Sequence, residues 1–523
     1  MNRTTLSLLA AVTSLAAVTG FAALTAPDGG AATEATAPAR LPVERSSLLC
    51  PAPATSDIAE TVYTSFTPGS GSGGSSATSG AVAELKPSVA TLRDPVDDAG
   101  KAGGEKDDEE DGAENDRSAK KPSSDKPVVT LKQPGKPVGA KASGSAAPAL
   151  VGTATGGLAP GWTTQQTTTV SAGSGRGVLG VHCTAPDTDF WFPGASLAKD
   201  RQDYVHLTNP DDSGALVDIE LYGKDGALKS QLSDGIQVPP GASVPVLLST
   251  LTTDPAEDVT VHVTTRTGRV GAAVRGAGDE TGSDWLAASA DPAGTLVLPG
   301  VPADATAVRL VAFAPGDDDA ELKVRLAGAS GTINPAGAES LRVKSGMTAS
   351  LDMKDVTKGE AGSILLLPAE GAPATPVVAA LQVTRGKGDK QEIAYIPATA
   401  PVKERATAAD NRAKGSVLSL TAPGETAQVK VTASAGTEGG SQSVKTYTVK
   451  GGTTLAVSPP VPEGLKGSYA LTVEPQSGGP VHAARTLLLP QDGIQMFTVQ
   501  TLPDDRGLVA VPAAEQDLSV LDD

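Results

Sequence analysis

The stretch "YVHLTNPDDSGALVDIELYGKDG", residues 204–226, holds two runs in which every second residue is apolar, separated by a turn of Asn, Pro, Asp, Ser and Gly. Such alternation places one face of a strand in a core and the other toward solvent, and the turn residues favour chain reversal. The same order returns in "VRLVAFAPGDDDAELKVRLAGASG" (308–331) and "SVLSLTAPGETAQVKVTASAGTEG" (416–439). Each copy is followed by strand, glycine-containing turn and strand (236–251, 341–356, 447–461), and closes with further strand text (259–274, 362–381, 469–487). Four short segments, "FWFPG" (190–194), "LVLPG" (296–300), "AYIPA" (394–398) and "VAVPA" (509–513), recur at intervals of roughly 100 residues and mark an internal repeat.

About six or seven short strands per copy need two facing sheets to bury their apolar sides, which is the logic of a β-sandwich. The expectation is an all-β chain: three tandem immunoglobulin-like β-sandwich domains, preceded by an N-terminal hydrophobic helix, with a long disordered insertion in the first domain. The first domain takes residues 45–93 and 178–290, the second 291–400 and the third 401–523, after a linker at 29–44. The insertion is residues 94–177. It carries "DDAGKAGGEKDDEEDGAENDRSAKKPSSDK" (97–126), runs on into Pro-, Gly-, Ala- and Ser-rich text, and lacks the apolar content that would offset chain entropy.

The 523 residues carry 42 Lys plus Arg against 60 Asp plus Glu, a formal charge of −18, and only 3% are aromatic. These balances argue against nucleic acid as a partner, because phosphate contacts need clustered Lys and Arg and base stacking needs rings. At the N-terminus Arg3 precedes an uncharged, mostly apolar run from Leu6 to Ala26. Residues 1–28 therefore read as an export segment, either a signal peptide or an uncleaved signal anchor. The run is long for the first and weakly hydrophobic for the second, and both stay open. The expected location is extracytoplasmic, secreted or tethered to the cell membrane, with membrane contact through this segment only.

Cys50 and Cys183 are the two cysteines of the chain. In an exported protein a lone pair is most simply a disulfide. Closing a loop of about 130 residues contributes roughly 5 kcal/mol in the chain-entropy model. Near Cys183 stand Phe190, Trp191 and Phe192, whose alternation turns one side of the strand toward a core and the other toward either an interface or the disulfide. A second use of Trp191, and of Trp285, is as a ligand platform on which a sugar ring stacks.

Catalytic signatures are sparse. The four histidines, His182, His206, His262 and His482, form no HExxH pair, and two cysteines cannot build a zinc framework. "SLAK" (196–199) and "SSDK" (123–126) match the Ser-x-x-Lys of penicillin-interacting enzymes without the partner KTG motif. The acidic tips "NPDDSG" (209–214) and "APGDDDAE" (314–321) lack the spacing of a twelve-residue calcium loop. No catalytic residue, metal site or cofactor is assigned.

The pieces "LLCPAP", "CTAPDTDFWFPG" and "LTNPDDSGALVDIELYGKDG", behind an N-terminal hydrophobic segment, resemble an uncharacterised family of secreted or membrane-anchored actinobacterial proteins, a domain of unknown function. The resemblance implies export and supplies no catalytic residues. The expected function is that of an exported, non-enzymatic cell-envelope protein, a structural or protein-interaction adaptor whose partner is an envelope protein or glycan. The alternatives are an envelope-polysaccharide binding module and a carboxylate-dependent glycan-active enzyme.

Overall fold

The computed structural model describes residues 39–69, 80–91, 126–173, 175–232 and 234–511. The secondary structure is all β; the helical elements among the described residues are single 3-10 turns, at Gly156–Leu158, Leu248–Thr250 and Gly388–Lys390. No described helix is long and apolar enough to cross a membrane. The export segment 1–28, the linker up to residue 38 and the acidic part of the insertion, 94–125, lie outside the described residues.

Contacts divide the chain into two units. One contains an antiparallel ribbon in which Ala39–Pro42 pairs with Leu508–Val511. The other, residues 43–507, runs four times through eight main strands, with five shorter ones beside them at Ala90–Thr91, Gly226–Ala227, Thr332–Ile333, Gly439–Ser441 and Glu463–Lys466. Repeat 1 holds β1 (Arg45–Cys50), β2 (Glu60–Phe66), β3 (Ala83–Pro87), β4 (Val129–Leu131), β5 (Val138–Ser143), β6 (Leu150–Thr155), β7 (Thr163–Val170) and β8 (Gly177–His182). Repeat 2 holds β9 (Asp189–Ala195), β10 (Tyr204–Thr208), β11 (Ala215–Gly223), β12 (Ile236–Val238), β13 (Ala242–Leu247), β14 (Val259–Thr267), β15 (Gly271–Gly278) and β16 (Gly282–Leu286). Repeat 3 holds β17 (Leu296–Val301), β18 (Ala305–Phe313), β19 (Ala320–Ala327), β20 (Ser340–Val343), β21 (Thr348–Asp352), β22 (Gly362–Pro368), β23 (Val378–Arg385) and β24 (Glu392–Pro397). Repeat 4 holds β25 (Ala406–Asn411), β26 (Ser416–Ala422), β27 (Ala427–Gly436), β28 (Ser443–Val449), β29 (Thr453–Val457), β30 (Tyr469–Gly478), β31 (His482–Leu488) and β32 (Phe497–Leu502).

Every repeat has the same topology. Its first, sixth, third and fourth strands form one sheet in that order, and its eighth, seventh, second and fifth strands form the other. The apolar positions of both sheets meet in one core per repeat: Cys50, Tyr63, Leu85, Leu150 and Trp162 in repeat 1; Phe192, Val205, Val217, Val261 and Val274 in repeat 2; Leu298, Leu310, Val324, Ile364 and Leu381 in repeat 3; Leu418, Val431, Tyr469 and Ala483 in repeat 4.

The expected insertion is corrected where it is described. Residues 129–170 contribute β4, β5, β6 and β7, so residues 45–182 are a repeat of their own, separate from 189–286. The strand text there is polar. β7 reads "TTQQTTTV", and Thr164, Gln165, Gln166, Thr167 and Thr168 are buried nonetheless. β7 lies between β2 and β8, which pair with its backbone on both edges, and the Thr168 and Thr61 hydroxyls bond at 3.0 Å. Edge pairing satisfies the backbone of this strand, and its side chains are buried on both faces of the sheet, with β25 of repeat 4 lying against it. The disulfide Cys50–Cys183 is formed, and it ties β1 to the residue after β8, the two ends of repeat 1. The proline-bearing segments are not equivalent elements. "FWFPG" and "LVLPG" lie in first strands, "AYIPA" lies in an eighth strand, and the described part of "VAVPA" lies in the ribbon. The first strand of repeat 4 is "ATAADN", without proline.

The repeats dock head to tail. β1 lies against β15, β9 against β18 and β23, and β17 against β26 and β31. β25, in the last repeat, returns to β2 and β7 of the first. The circuit of interfaces therefore closes, and the four eighth strands meet within it: β8 and β24 each touch both β16 and β32. Glycine permits these approaches. A Cβ on Gly180 of β8 would stand 2.6 Å from the Thr498 methyl of β32, and one on Gly271 of β15 would stand 2.7 Å from the Cβ of Leu49.

Candidate functional site

Alternation along β9 buries Phe190 and Phe192 in the core of repeat 2 and leaves Asp189 and Trp191 on the opposite face. Across the sheet, Trp191 faces His262 of β14, which in turn faces Glu220 of β11. The rings of Trp191 and His262 stack at 3.6 Å and 8°. His262 Nδ1 lies 3.2 Å from Glu220 Oε2, and Nε2 lies 3.1 Å from Asp189 Oδ2. The two carboxylates thus flank the imidazole, one at each ring nitrogen, on the face that carries Trp191. Tyr222 donates its hydroxyl to Glu220 at 2.9 Å, and burial, then Glu220 itself, pushes that hydroxyl up to about 12. Phe313 of repeat 3 completes the cluster, stacking on Trp191 at 5.4 Å and meeting Tyr222 at 4.6 Å. Trp191 is thus half-buried and engaged by two rings, while Asp189 and Glu220 keep 55% of their side-chain surface exposed.

Trp285 lies elsewhere. It is 2% exposed on β16, with the His206 ring edge-on at 5.0 Å, and it offers no surface on which a sugar could stack. Its neighbour Asp284 is fully buried where repeats 1, 2 and 4 converge. Asp284 Oδ1 accepts from Gly180 N at 3.0 Å, from Trp285 N at 2.8 Å and from the Thr498 hydroxyl at 3.2 Å. Burial pushes its pKa well above the carboxylate range, and the Glu392 charge of repeat 3 adds to the rise. Glu392 accepts from Arg176 Nε at 2.7 Å, while Arg176 also donates to the carbonyls of Asp389 and Gln391. Arg201 bridges Asp203, at 2.9 Å, to the Tyr395 hydroxyl, at 2.5 Å, across the seam between repeats 2 and 3. Arg485 is wholly buried in repeat 4, and burial pulls it down to about 10.

Sequence reasoning missed these seam residues. Their one local signal is a charge inside strand text, as in "GSDWL" (282–286). Of the sequence candidates, Cys50 and Cys183 come together, whereas Trp191 and Trp285 do not share a site. Among the described residues no group of three or more His, Cys, Asp or Glu side chains is arranged to hold a metal ion.

No curated protein and no solved structure matches the chain. The model of a family of unknown function, DUF5719, matches residues 138–460, from the start of β5 to just past β29. That match spans more than half of the sequence, and the chain belongs to the family of unknown function DUF5719.

Proposed function

We propose that the protein is an exported, non-enzymatic adaptor of the cell envelope, and that each of its four sheet pairs is an immunoglobulin-like β-sandwich serving as an interaction module. The observation that carries this reading is where the ionisable side chains are used. Asp284, Arg176, Glu392, Arg201 and Asp203 join one repeat to another, so the chemistry of the chain holds modules together and their outer strands remain as surfaces for partners. Export is supported by the Cys50–Cys183 bond together with Arg3 and the apolar run that follows it.

A glycan-binding reading has one observation in its favour: Trp191, half-buried at the seam with repeat 3, stands beside two half-exposed carboxylates, the kind of mixed polar and aromatic surface that hydroxyl-rich ligands use. Co-sedimentation of residues 29–523 with isolated cell-wall material separates the two. Binding abolished by prior protein extraction of the wall supports the adaptor. Binding that survives extraction and is lost in Trp191→Ala supports the glycan module, and turnover of wall glycan by the purified protein contradicts both.

A further inference from the structure

A cavity of about 20 Å³ opens where the four eighth strands meet, and every repeat contributes to its wall. β8 supplies Gly180, Val181 and His182; β16 supplies Trp285; β24 supplies Tyr395; β32 supplies Gln500. His182 Nε2, Trp285 Nε1 and both amide atoms of Gln500 are buried and have no hydrogen-bond partner among the described residues. Buried polar atoms without partners are rare in folded proteins, because stripping water from them without replacing its bonds is costly.

We propose that this cavity is a binding site for one ordered water molecule, shared by His182, Trp285 and Gln500 and so by repeats 1, 2 and 4. Its volume suits a single water, which needs roughly 10–15 Å³ and two to four polar partners. The chemistry of the wall selects water over an ion. The indole nitrogen of Trp285 only donates, which excludes a cation, while the Gln500 amide carries an acceptor oxygen as well as a donor nitrogen, so an occupant that both accepts and donates suits the wall best. Water does both. It accepts from Trp285, donates to the Gln500 carbonyl, and takes whichever role the tautomer of His182 leaves. The interior of the closed circuit thus has a polar joint, where the apolar strands of repeat 3 alone would have predicted a dry one.

The test uses the full chain labelled with ¹⁵N-tryptophan, whose three tryptophans give three indole signals. The Trp285 indole proton is expected to show a cross-relaxation peak to water and to lose it in Gln500→Leu, with an upfield shift of the indole proton as its bond is lost. A crystal structure grown with bromide supplies the second readout. A density peak within hydrogen-bond distance of Trp285 Nε1 and Gln500, without anomalous signal, is the expected result. An anomalous bromide peak there, no peak at all, or a water contact unchanged in Gln500→Leu would overturn the proposal.

Discussion

Asp284 gathers three donors on one oxygen, and burial keeps its proton on at pH values where an exposed carboxyl has lost it. The folded state holds that proton more tightly than the unfolded chain does, so the resulting stabilisation is complete below the unfolded carboxylate range and is lost as pH rises through the raised folded value. Asp284→Asn keeps the accepting oxygen and cannot ionise. Urea midpoints measured from pH 5 to pH 9 are therefore expected to move in favour of Asp284→Asn as pH rises, whereas Asp284→Ala, which strands Gly180 N and the Thr498 hydroxyl, loses about 1–3 kcal/mol. A constant gap between the wild type and the asparagine variant would show that Asp284 does not titrate differently in the fold. His482 has the opposite sign. Burial lowers it from 6.5 to about 4, although its bond to the Thr399 carbonyl opposes the shift. Between those values the unfolded chain takes up the proton and the folded one does not, so stability falls as pH drops. Relative to His482→Gln, the wild type should lose up to about 1.4 kcal/mol per pH unit in that window, read as a differential shift in thermal midpoint.

At the scale of the strand, β7 shows what composition conceals. Strand text such as Val205–Leu207 and Val217–Leu221 announces itself by alternating apolar residues, and those segments of repeats 2 to 4 were legible for that reason. "TTQQTTTV" has no such pattern, because both of its faces are covered, with β25 of repeat 4 lying against it, so neither face had to be the apolar one. Hydrogen exchange decides between a strand and a spacer: amides of residues 163–170 should stay protected on the scale of the other central strands, and exchange at the rate of an open chain would remove β7 from the sheet. The proline-bearing segments misled in the other direction, since first strands, an eighth strand and a ribbon share a motif that is only a local way to end a strand. The disulfide was legible from two cysteines, but its place was not. It closes repeat 1 over a separation of 133 residues. Replacing Cys50 and Cys183 together by serine should lower the unfolding free energy of repeat 1 by as much as about 5 kcal/mol in the chain-entropy model, seen as an early calorimetric transition; an unchanged profile would mean that the paired sheets alone hold it.

Four modules of one topology, each laying its first strand on the next, form a heterologous interface that closes after four steps inside a single chain. The period was visible in the sequence for three of them, because the polar strand text of repeat 1 and the long segment between β3 and β4 broke its likeness to the rest. Beyond a lone charge inside strand text, the seam was not visible, since Gly180, Asp284 and Thr498 are brought together by closure. The closing seam, between repeats 4 and 1, therefore carries the central claim. There the Thr64 and Ser468 side-chain oxygens lie 3.5 Å apart across a separation of 404 residues. The most direct measurement introduces Thr64→Cys and Ser468→Cys in the full chain, applies mild oxidation and maps the cross-linked peptides. The account predicts an intramolecular bond joining positions 64 and 468 beside the intact Cys50–Cys183 bond. Two new thiols that stay free, or that pair only between molecules, would contradict the closed circuit.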